Sequence, residues 1–437
     1  MKKINTIICF LVLAQLAKAQ TPTFEKSMQD FFSDRFGMFI HWGPVSLRGT
    51  EIGWSRDKEV SKEDYDSLYK EFNPVLFNAD TWVKTAKDAG MKYLTITARH
   101  HDGFCIWPTK FTAYNISNTP YKKDILGALN KACKKQGIKF CLYYSILDWY
   151  HPDYPIHSAH NGKVDPKSDL NKYRAFLKNQ LKELITMYDP FMLWFDGAWE
   201  SPWTDEMGKE LYTYLKTLKP SLIVNNRLGK EIAAVSNKKI DVNKMVGDYD
   251  TPEQVVGRLN METPWESCFT ICNQWSWKPN DKLKSLEECM SILLRTAGGN
   301  GNLLLNVGPM PDGRIEARQI NRLKEMGHWL KKYAESIYNT NGGPYLPNNV
   351  YSATRKGNTI YVHLFDETKN ELVLPALQDV KILNMSWMNG SPADWKETDG
   401  QYQITIPSML PNSLSNVLVM QINKPALDIP VQKIDIK

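Results

Sequence analysis

The chain contains little cysteine for its length, with 7 Cys among 437 residues. Cys9 lies in an N-terminal segment that we predict to be removed, and a chain this long does not need disulfides to fold. Cys268 and Cys272 lack the close-paired spacing and the second cluster of a zinc site. We therefore predict a protein with no metal and no other cofactor, whose cysteines are mostly small buried hydrophobes.

Beyond its N-terminus the chain also lacks long apolar runs and blocks of basic residues. No later segment stays apolar for long enough to cross a bilayer, so we predict no membrane span. The formal charge of +6 is spread along the chain. Because there is no basic stripe with interleaved aromatic residues, nucleic acid is not an expected partner.

Residues 1–19 have the pattern of a cleaved export signal. Two lysines precede an apolar core from Ile7 to Ala17, and Ala17-Lys18-Ala19 supplies an A-x-A cleavage site. The apolar core is too short to span a membrane. Cys9 lies inside this core rather than at its exit, which argues against a lipid-anchored cysteine. The pattern therefore predicts a protein that is periplasmic or secreted after cleavage near Ala19.

What the chain has in excess is aromatic residues, with 14 Trp and 20 Tyr. Tryptophan fills large cores, but its flat apolar face also stacks on sugar rings, so this content mildly favours a carbohydrate ligand. The composition is otherwise ordinary for a globular protein, which excludes a disordered chain.

From about Phe36 to Tyr338 short apolar runs alternate with amphipathic stretches of helical length. Eight strands alternating with helices fit a (β/α)8 (TIM) barrel. The fifth and sixth helices are poorly marked, so we predict a degenerate barrel over residues 20–341. The predicted strands are Gly37–Ile40, Tyr93–Thr97, Lys139–Tyr144, Met192–Phe195, Leu222–Asn225, Val246–Tyr249, Cys268–Ile271 and Leu303–Val307. The predicted helices are Ala79–Ala89, Ile125–Gln136, Leu170–Tyr188, Met207–Lys219, Leu283–Thr296 and Ile315–Tyr338.

The pattern changes after Tyr338, where Asn339–Pro344 is a run of turn-forming residues. Short alternating stretches then follow at close intervals, which is typical of antiparallel sheets. We predict a C-terminal antiparallel β-sandwich over residues 342–437. Its predicted strands are Thr359–Phe365, Glu371–Leu374, Val380–Leu383, Tyr402–Ile406 and Asn416–Ile422.

Polar and aromatic residues gather at the ends of the predicted barrel strands. In a barrel the carboxyl ends of the strands and the loops after them form the mouth where chemistry takes place. The apolar run Phe191–Phe195, which suits a strand buried on both faces, leads directly into Asp196 and Gly197. A rim of this composition suits a carbohydrate pocket, because fixed polar groups bind hydroxyls and aromatic faces bind C–H groups.

Each of these residues also has an ordinary structural explanation. His41 suits a hydrogen-bonded core histidine, and Asp248 or Asp250 suits a turn cap. His100 and His101 do not indicate a metal, because neighbours on a strand point to opposite sides and no third ligand stands at a familiar spacing. A purely structural account would require every one of these explanations to hold at the same rim. The clustering therefore favours a functional site.

Six segments of the barrel region carry most of these rim residues in a fixed order. They are Phe36-Gly37-Met38-Phe39-Ile40-His41-Trp42-Gly43, His100-His101-Asp102-Gly103-Phe104, Trp194-Phe195-Asp196-Gly197, Asn225-Asn226-Arg227, Trp265-Glu266 and Trp275-Ser276-Trp277. In this order they resemble the signatures of the glycoside hydrolase family 29 α-L-fucosidases. The ordered match runs from about Phe31 to Tyr338, and the family's barrel followed by a β-sandwich extends it to nearly the whole mature chain.

The resemblance implies an exo-acting, retaining α-L-fucosidase that hydrolyses terminal α-L-fucosyl linkages by double displacement. A retaining glycosidase uses two carboxyl groups ~5–5.5 Å apart, one as nucleophile and one as acid/base. By resemblance the nucleophile is Asp196. The resemblance further implies a substrate-binding set consisting of His41, Trp54, His100, His101, Tyr143, Trp194, Arg227 and, on the methyl side, Trp277. The expected partner is a fucosylated oligosaccharide or glycoconjugate.

The acid/base is less sharply defined, because Glu253, Glu262, Glu266, Glu200 and Asp250 are all candidates. In the resembled family it lies on a variable loop after the sixth strand and before the Trp-Glu motif, where Glu253 stands. We therefore predict Glu253 as the acid/base. Glu266 is the alternative and otherwise supports the sugar or the pocket.

The first long loop departs from the family pattern. Many members have a Glu directly before a Trp in this loop, and that Glu contacts the sugar, whereas here Gly53 precedes Trp54. Either Glu51 replaces that contact or the leaving-group side is built differently. Together with the loop 247–253, this departure weakly favours branched α-1,3/1,4-linked fucosides.

Other functions stay open at this point. The same scaffold could carry a retaining glycosidase for another deoxy or galacto-configured sugar. A non-catalytic carbohydrate-binding homologue would require loss of a carboxylate, and both are present. Chelator sensitivity would identify a metal-dependent hydrolase. The sequence does not indicate an oligomeric state.

Overall fold

The computed structural model describes residues 22–232, 240–256, 259–365, 370–407 and 416–432. The signal peptide proposed for residues 1–19 lies outside the described residues and stays a prediction. Within the described ranges, no helix combines the length and hydropathy that a membrane span requires. The six cysteines from Cys105 to Cys289 are free and buried, which confirms that they act as small apolar residues.

In the described part of the chain, seven parallel strands form one curved sheet that carries the candidate site. Every residue in these strands except Lys139 is buried, which explains their nearly continuous apolar runs. The strands are β1 (Phe36–Ile40), β2 (Tyr93–Arg99), β3 (Lys139–Ser145), β4 (Met192–Asp196), β5 (Ile223–Val224), β6 (Glu266–Thr270) and β7 (Asn302–Val307). Their order in the sheet is β5-β4-β3-β2-β1-β7-β6.

The predicted strand Val246–Tyr249 is wrong as a strand. Between β5 and β6 the described residues form isolated parallel bridges instead of a regular ladder: Asn225 with Tyr249, Arg227 with Val246, Asp250 with Trp265 and Glu253 with Cys268. The reason is local: the Asp248 carboxylate accepts a hydrogen bond from the Val224 backbone N–H at 2.8 Å. The Asp248 side chain thus accepts the backbone N–H that would bond a backbone carbonyl in a regular parallel pair of strands.

The described residues form eight α-helices, which surround this sheet or precede it. The six predicted helices are present, and among the described residues none lies between β5 and β6, as the prediction of a degenerate barrel requires. Most begin at a side chain that caps the first turn, and Ser285 and Glu288 form a capping box. The helices are α1 (Phe24–Asp34), α2 (Lys62–Ser67), α3 (Ala79–Asp88), α4 (Ile125–Gln136), α5 (Leu170–Tyr188), α6 (Asp205–Leu218), α7 (Leu286–Gly298) and α8 (Ala317–Tyr333).

Two antiparallel sheets follow the barrel and enclose a separate apolar core, which confirms the C-terminal sandwich. The sequence pattern does not predict three of these strands: Asn341–Gly342, Tyr351–Lys356 and Trp395–Thr398. The strands are β8 (Asn341–Gly342), β9 (Tyr351–Lys356), β10 (Thr359–Leu364), β11 (Glu371–Pro375), β12 (Ile382–Trp387), β13 (Trp395–Thr398), β14 (Gln401–Thr405) and β15 (Val417–Ile422). Their orders are β12-β15-β10-β9-β8 and β11-β14-β13.

The sandwich packs against the outer helices of the barrel. The Ser352 hydroxyl of β9 donates a hydrogen bond to the Leu294 carbonyl of α7 at 2.8 Å. The division into residues 20–341 and 342–437 stays a prediction.

Candidate active site

A cavity of about 270 Å³ opens at the carboxyl ends of the barrel strands. Nine of the eleven predicted site residues line it, whereas Glu266 and Trp277 do not. The barrel positions these side chains, since the lining comes from β1, β3, β4 and β6 and from the loops that follow β1, β2, β4, β5 and β6. The lining residues are Phe39, His41, Trp54, His100, His101, Tyr143, Trp194, Asp196, Trp199, Arg227, Ile232, Glu253, Cys268 and Trp275.

Arg227 joins the two predicted catalytic carboxyl groups. Its NH1 donates to Asp196 Oδ1 at 3.1 Å, and its NH2 donates to Glu253 Oε2 at 3.0 Å. Burial alone would lower the pKa of the Arg227 guanidinium, but the adjoining charges of Asp196 and Glu253 outweigh burial and raise it. The guanidinium therefore stays charged and fixes both carboxyl groups at one end of the cavity.

Asp196 is the more enclosed of the two acids. Its side chain is 12% exposed and that of Glu253 is 25% exposed. The Tyr143 hydroxyl donates to Asp196 Oδ2 at 3.1 Å. The next residue, Gly197, has φ of 96°, a conformation that a side chain would strain. The chain thus leaves β4 sharply and exposes Asp196 to the cavity.

Hydrogen bonds determine the proton position on His41. Asn306 Nδ2 donates to the Trp275 carbonyl at 2.7 Å, so its Oδ1 faces His41 Nδ1, also at 2.7 Å. His41 Nδ1 must therefore donate. Burial lowers the pKa of His41 to about 3, so at neutral pH the ring is neutral and Nε2 is an acceptor for a ligand hydroxyl.

The same logic applies to His101. The Ser145 hydroxyl donates to the Leu147 carbonyl at 2.6 Å and therefore accepts from His101 Nδ1 at 2.7 Å. Burial, followed by the charge of Arg227, lowers the pKa of His101 to about 3. Its Nε2 is then an acceptor 3.6 Å from Asp196 Oδ2. His100 stacks on Tyr143 at 5.3 Å between ring centroids, and burial lowers its pKa well below the ordinary value.

Trp194 forms the floor of the cavity, with Arg227 on one face and Glu266 at its edge. The Arg227 guanidinium carbon lies 4.6 Å from the centre of the Trp194 ring. Trp194 Nε1 donates to Glu266 Oε2 at 3.1 Å. Tyr93 and Tyr249 donate to the same carboxyl group at 2.5 and 3.3 Å. Glu266 is fully buried and lies beneath the floor, so Glu253 alone of the two acid/base candidates reaches the cavity.

The long loop after β1 contributes Trp54 to the cavity lining. Glu51 does not line the cavity, because its carboxylate accepts the backbone N–H groups of Trp275 and Ser276 at 2.9 and 3.0 Å. Gly53 has φ of 70°, and a Cβ there would lie 2.9 Å from His100 Nδ1. A side chain is therefore disfavoured at this position, and Trp54 follows it in the cavity lining.

Trp275, rather than the predicted Trp277, lines the cavity. The Trp275 ring lies 4.8 Å from the His41 ring and 6.0 Å from the Phe39 ring, between centroids. Trp277 lies outside the lining. Residues two apart in a loop have no fixed orientation, so their sequence spacing could not distinguish them.

The other acidic candidates also lie outside the lining. Glu200 accepts the Trp149 Nε1–H at 3.0 Å, and Asp250 accepts an amide proton of Asn226 at 2.7 Å. Glu262 is exposed. Among the residues that the structure describes, no three His, Cys, Asp or Glu side chains form a group suited to a metal ion.

The profile of the family described as Alpha-L-fucosidase matches residues 13–335, which include the whole cavity. The chain belongs to the α-L-fucosidase family. Membership places it among the glycoside hydrolases and confirms the family resemblance seen in the sequence.

Individual fucosidases agree with this placement. The chain is 30% identical over 397 residues to a putative alpha-L-fucosidase of Caenorhabditis elegans, covering 84% of this chain and 77% of that protein. It is 28% identical over 332 residues to the human tissue alpha-L-fucosidase, covering 70% and 68%. The structure of isoenzyme 1 from Paenibacillus thiaminolyticus has a TM-score of 0.81 at 30% identity, covering 92% and 99%. A GH29 alpha-L-fucosidase of Bacteroides thetaiotaomicron, trapped as a covalent intermediate with 2-fluoro-fucosyl fluoride, has a TM-score of 0.81 at 28% identity, covering 91% and 96%.

The prediction from sequence missed five residues that line the fucosidase cavity. Phe39 could have been found from strand periodicity, because it lies two residues before His41 and strand residues two apart share a face. Trp199 follows Asp196 closely in the same loop. Trp275 stands in the Trp275-Ser276-Trp277 segment that resembles the family, whereas Ile232 and Cys268 carry no equally clear signal. The missed residues are Phe39, Trp199, Ile232, Cys268 and Trp275.

Glu266→Gln should make the fucosidase less sensitive to alkaline pH. Burial raises the pKa of Glu266 to about 7, although three donors act against this. The folded state thus holds the proton to a higher pH than the unfolded state, and its ionisation costs stability as pH rises from about 4.5 through 7. The free energy of unfolding of the variant minus that of wild type should increase by about 3 kcal/mol across this range.

Urea unfolding of both proteins at pH 4.5, 6 and 8 measures this difference. Glu262→Gln is the control, because it makes the same substitution at an exposed glutamate. A Glu266→Gln difference that is constant or shrinks with rising pH would contradict the assignment of a protonated, buried carboxyl group.

Proposed function

We propose that the protein is an exo-acting, retaining α-L-fucosidase that removes terminal fucose from glycans. The observation that carries the proposal is the bridge of Arg227 between Asp196 and Glu253 inside a small cavity. A glycosidic bond breaks through an oxocarbenium-like transition state, which needs one carboxylate at the anomeric carbon and one acid at the leaving oxygen. Two carboxyl groups on one guanidinium are close enough to serve the same bond.

Asp196 is proposed as the nucleophile. It is the more enclosed acid, and Arg227 and Tyr143 hold both of its oxygens. Its attack on the anomeric carbon forms a fucosyl–enzyme ester, while Glu253 gives a proton to the leaving oxygen. The covalent intermediate trapped in the Bacteroides thetaiotaomicron fucosidase supports this double displacement.

Glu253 is proposed as the acid/base. It is the more exposed acid, so both a leaving group and an incoming water can reach it. Formation of the ester neutralises Asp196 and leaves Glu253 as the remaining charged partner of Arg227. The Glu253 carboxylate left by the first proton transfer then takes a proton from the attacking water.

The rest of the cavity suits what fucose offers, which is three ring hydroxyl groups and a C6 methyl group. The Nε2 atoms of His41 and His101 are acceptors for hydroxyl protons. Phe39, Cys268 and Trp275 provide apolar lining for the methyl group. A sugar with a hydroxyl group at C6 would lose a hydrogen bond to water there.

Release of free fucose from an aryl α-L-fucoside tests this function. We expect kcat/KM to be about 10- to 100-fold higher than for the aryl α-L-galactoside, which differs only by the C6 hydroxyl group. Equal rates, or a preference for the galactoside, would move the assignment to another galacto-configured sugar. A protein that binds fucose but cleaves neither compound would be a carbohydrate-binding homologue.

We further propose a preference for branched α-1,3/1,4-linked fucosides. Gly53 has no side chain, and the Glu51 carboxylate is bonded to the Trp275 backbone, so neither residue extends an acidic group towards the leaving side of the sugar. We expect kcat/KM for a Lewis-type trisaccharide to exceed that for an α-1,2-linked fucosyl disaccharide by about tenfold. Chromatographic measurement of released fucose checks this, and a reversed order would overturn the linkage preference alone.

A further inference from the structure

Exposure increases outward along the wall of the cavity. The side chains of Asp196 and Glu253 are 12% and 25% exposed. Trp54 and Trp199, which line the same cavity, are 40% and 42% exposed. The two tryptophans therefore lie at the mouth, where a ligand enclosed at Asp196 would continue into solvent.

The two indole rings form one aromatic surface, although they come from different loops. Trp54 follows β1 and Trp199 follows β4. Their centroids are 6.1 Å apart and their planes differ by 16°. Both indole rings are perpendicular to the His101 ring, and their centroids lie 5.7 and 5.3 Å from its centroid. Because the rings already stack on each other, a ligand ring would lie across their exposed surface rather than between them.

Contacts behind the rings hold this surface in place. Trp149 packs edge-on against Trp54 at 5.3 Å between centroids. Trp149 Nε1 donates to Glu200, the residue after Trp199, at 3.0 Å. His160 Nε2 contacts the Trp54 carbonyl at 3.1 Å. A surface held before binding loses little conformational entropy when a ligand docks.

We propose that Trp54 and Trp199 form the binding surface for the sugar on the leaving side of the cleaved bond. This inference rests on the proposed function and extends it. A cavity of about 270 Å³ encloses one terminal sugar, so the next ring of an exo-cleaved glycan has to pass the mouth. The C–H face of a pyranose stacks on an indole, and rigid exposed tryptophans supply that contact.

Comparison of two substrates tests the surface. α-L-Fucosyl fluoride has no leaving-side sugar, whereas a fucosyl-α-1,3-N-acetylglucosamine disaccharide has one. For Trp199→Ala, kcat/KM should fall by about tenfold more on the disaccharide than on the fluoride. Trp54→Ala should show the same bias, and the double variant a larger one. Phe111→Ala is the matched control, because Phe111 is 43% exposed but does not line the cavity.

The outcomes separate this inference from the proposed function. Equal losses on both substrates, or no loss on either, would overturn the leaving-side surface while fucosidase activity stands. If wild type cleaves neither substrate, the proposed function fails, and saturation-transfer NMR with N-acetylglucosamine alone decides the surface. Saturation transfer to N-acetylglucosamine that disappears in Trp199→Ala supports the leaving-side surface. Transfer that is unchanged in this variant overturns it.

Discussion

Asp196→Ala is expected to lose fucosidase activity, with kcat lowered by about four orders of magnitude. The substitution removes the only cavity carboxylate that Tyr143 and Arg227 jointly hold among the described residues. Without it no ester can form, and the developing positive charge at the anomeric carbon has no partner. Release of the aryl group from an aryl α-L-fucoside measures the loss.

Covalent labelling identifies the nucleophile directly. Incubation of wild type with 2-fluoro-fucosyl fluoride should add one 2-fluorofucosyl group, and peptide mass spectrometry should place it on Asp196. Glu262→Ala serves as the control, because it removes an exposed acid outside the cavity. Melting temperatures of all variants check that they fold. A label on another residue would remove Asp196 from its proposed role.

Glu253→Ala is expected to lower kcat/KM on a fucosyl disaccharide by about 10²- to 10⁴-fold, the usual contribution of general acid–base catalysis. An aryl fucoside with a good leaving group needs less proton donation, so its first step should be affected less. Hydrolysis of the ester would still lack a base, and added azide should restore turnover by attacking the ester.

The configuration of the azide product distinguishes the two acids. In Glu253→Ala azide attacks the fucosyl–enzyme, so two inversions give α-L-fucosyl azide. In Asp196→Ala azide replaces the nucleophile, and a single inversion gives the β-anomer. Glu266→Ala should give no azide product, because Glu266 lies beneath the cavity floor. Azide rescue of Glu266→Ala, with full activity in Glu253→Ala, would reverse the assignment.

Much of the fold followed from local pattern. The runs that became β1 to β4 are apolar because both faces of the sheet are covered, and their lengths match buried strands. The segment Val246–Tyr249 has the same pattern, but the Asp248 side chain bonds the Val224 backbone there. The periodicity of apolar residues predicts which side chains are buried. It does not show that the Asp248 side chain accepts a hydrogen bond in place of a backbone carbonyl.

The sequence by itself determined the family and brought most of the site together, because parallel strands deliver their carboxyl ends to one mouth. Only the tertiary structure decided the depth of each residue. Glu266 begins β6 and therefore lies below the floor, whereas Glu253 bonds Arg227 at the cavity wall. Likewise Trp275 and Trp199 face the cavity and Trp277 does not. Sequence order places a side chain near a mouth, but its depth and direction depend on packing between segments far apart in the chain.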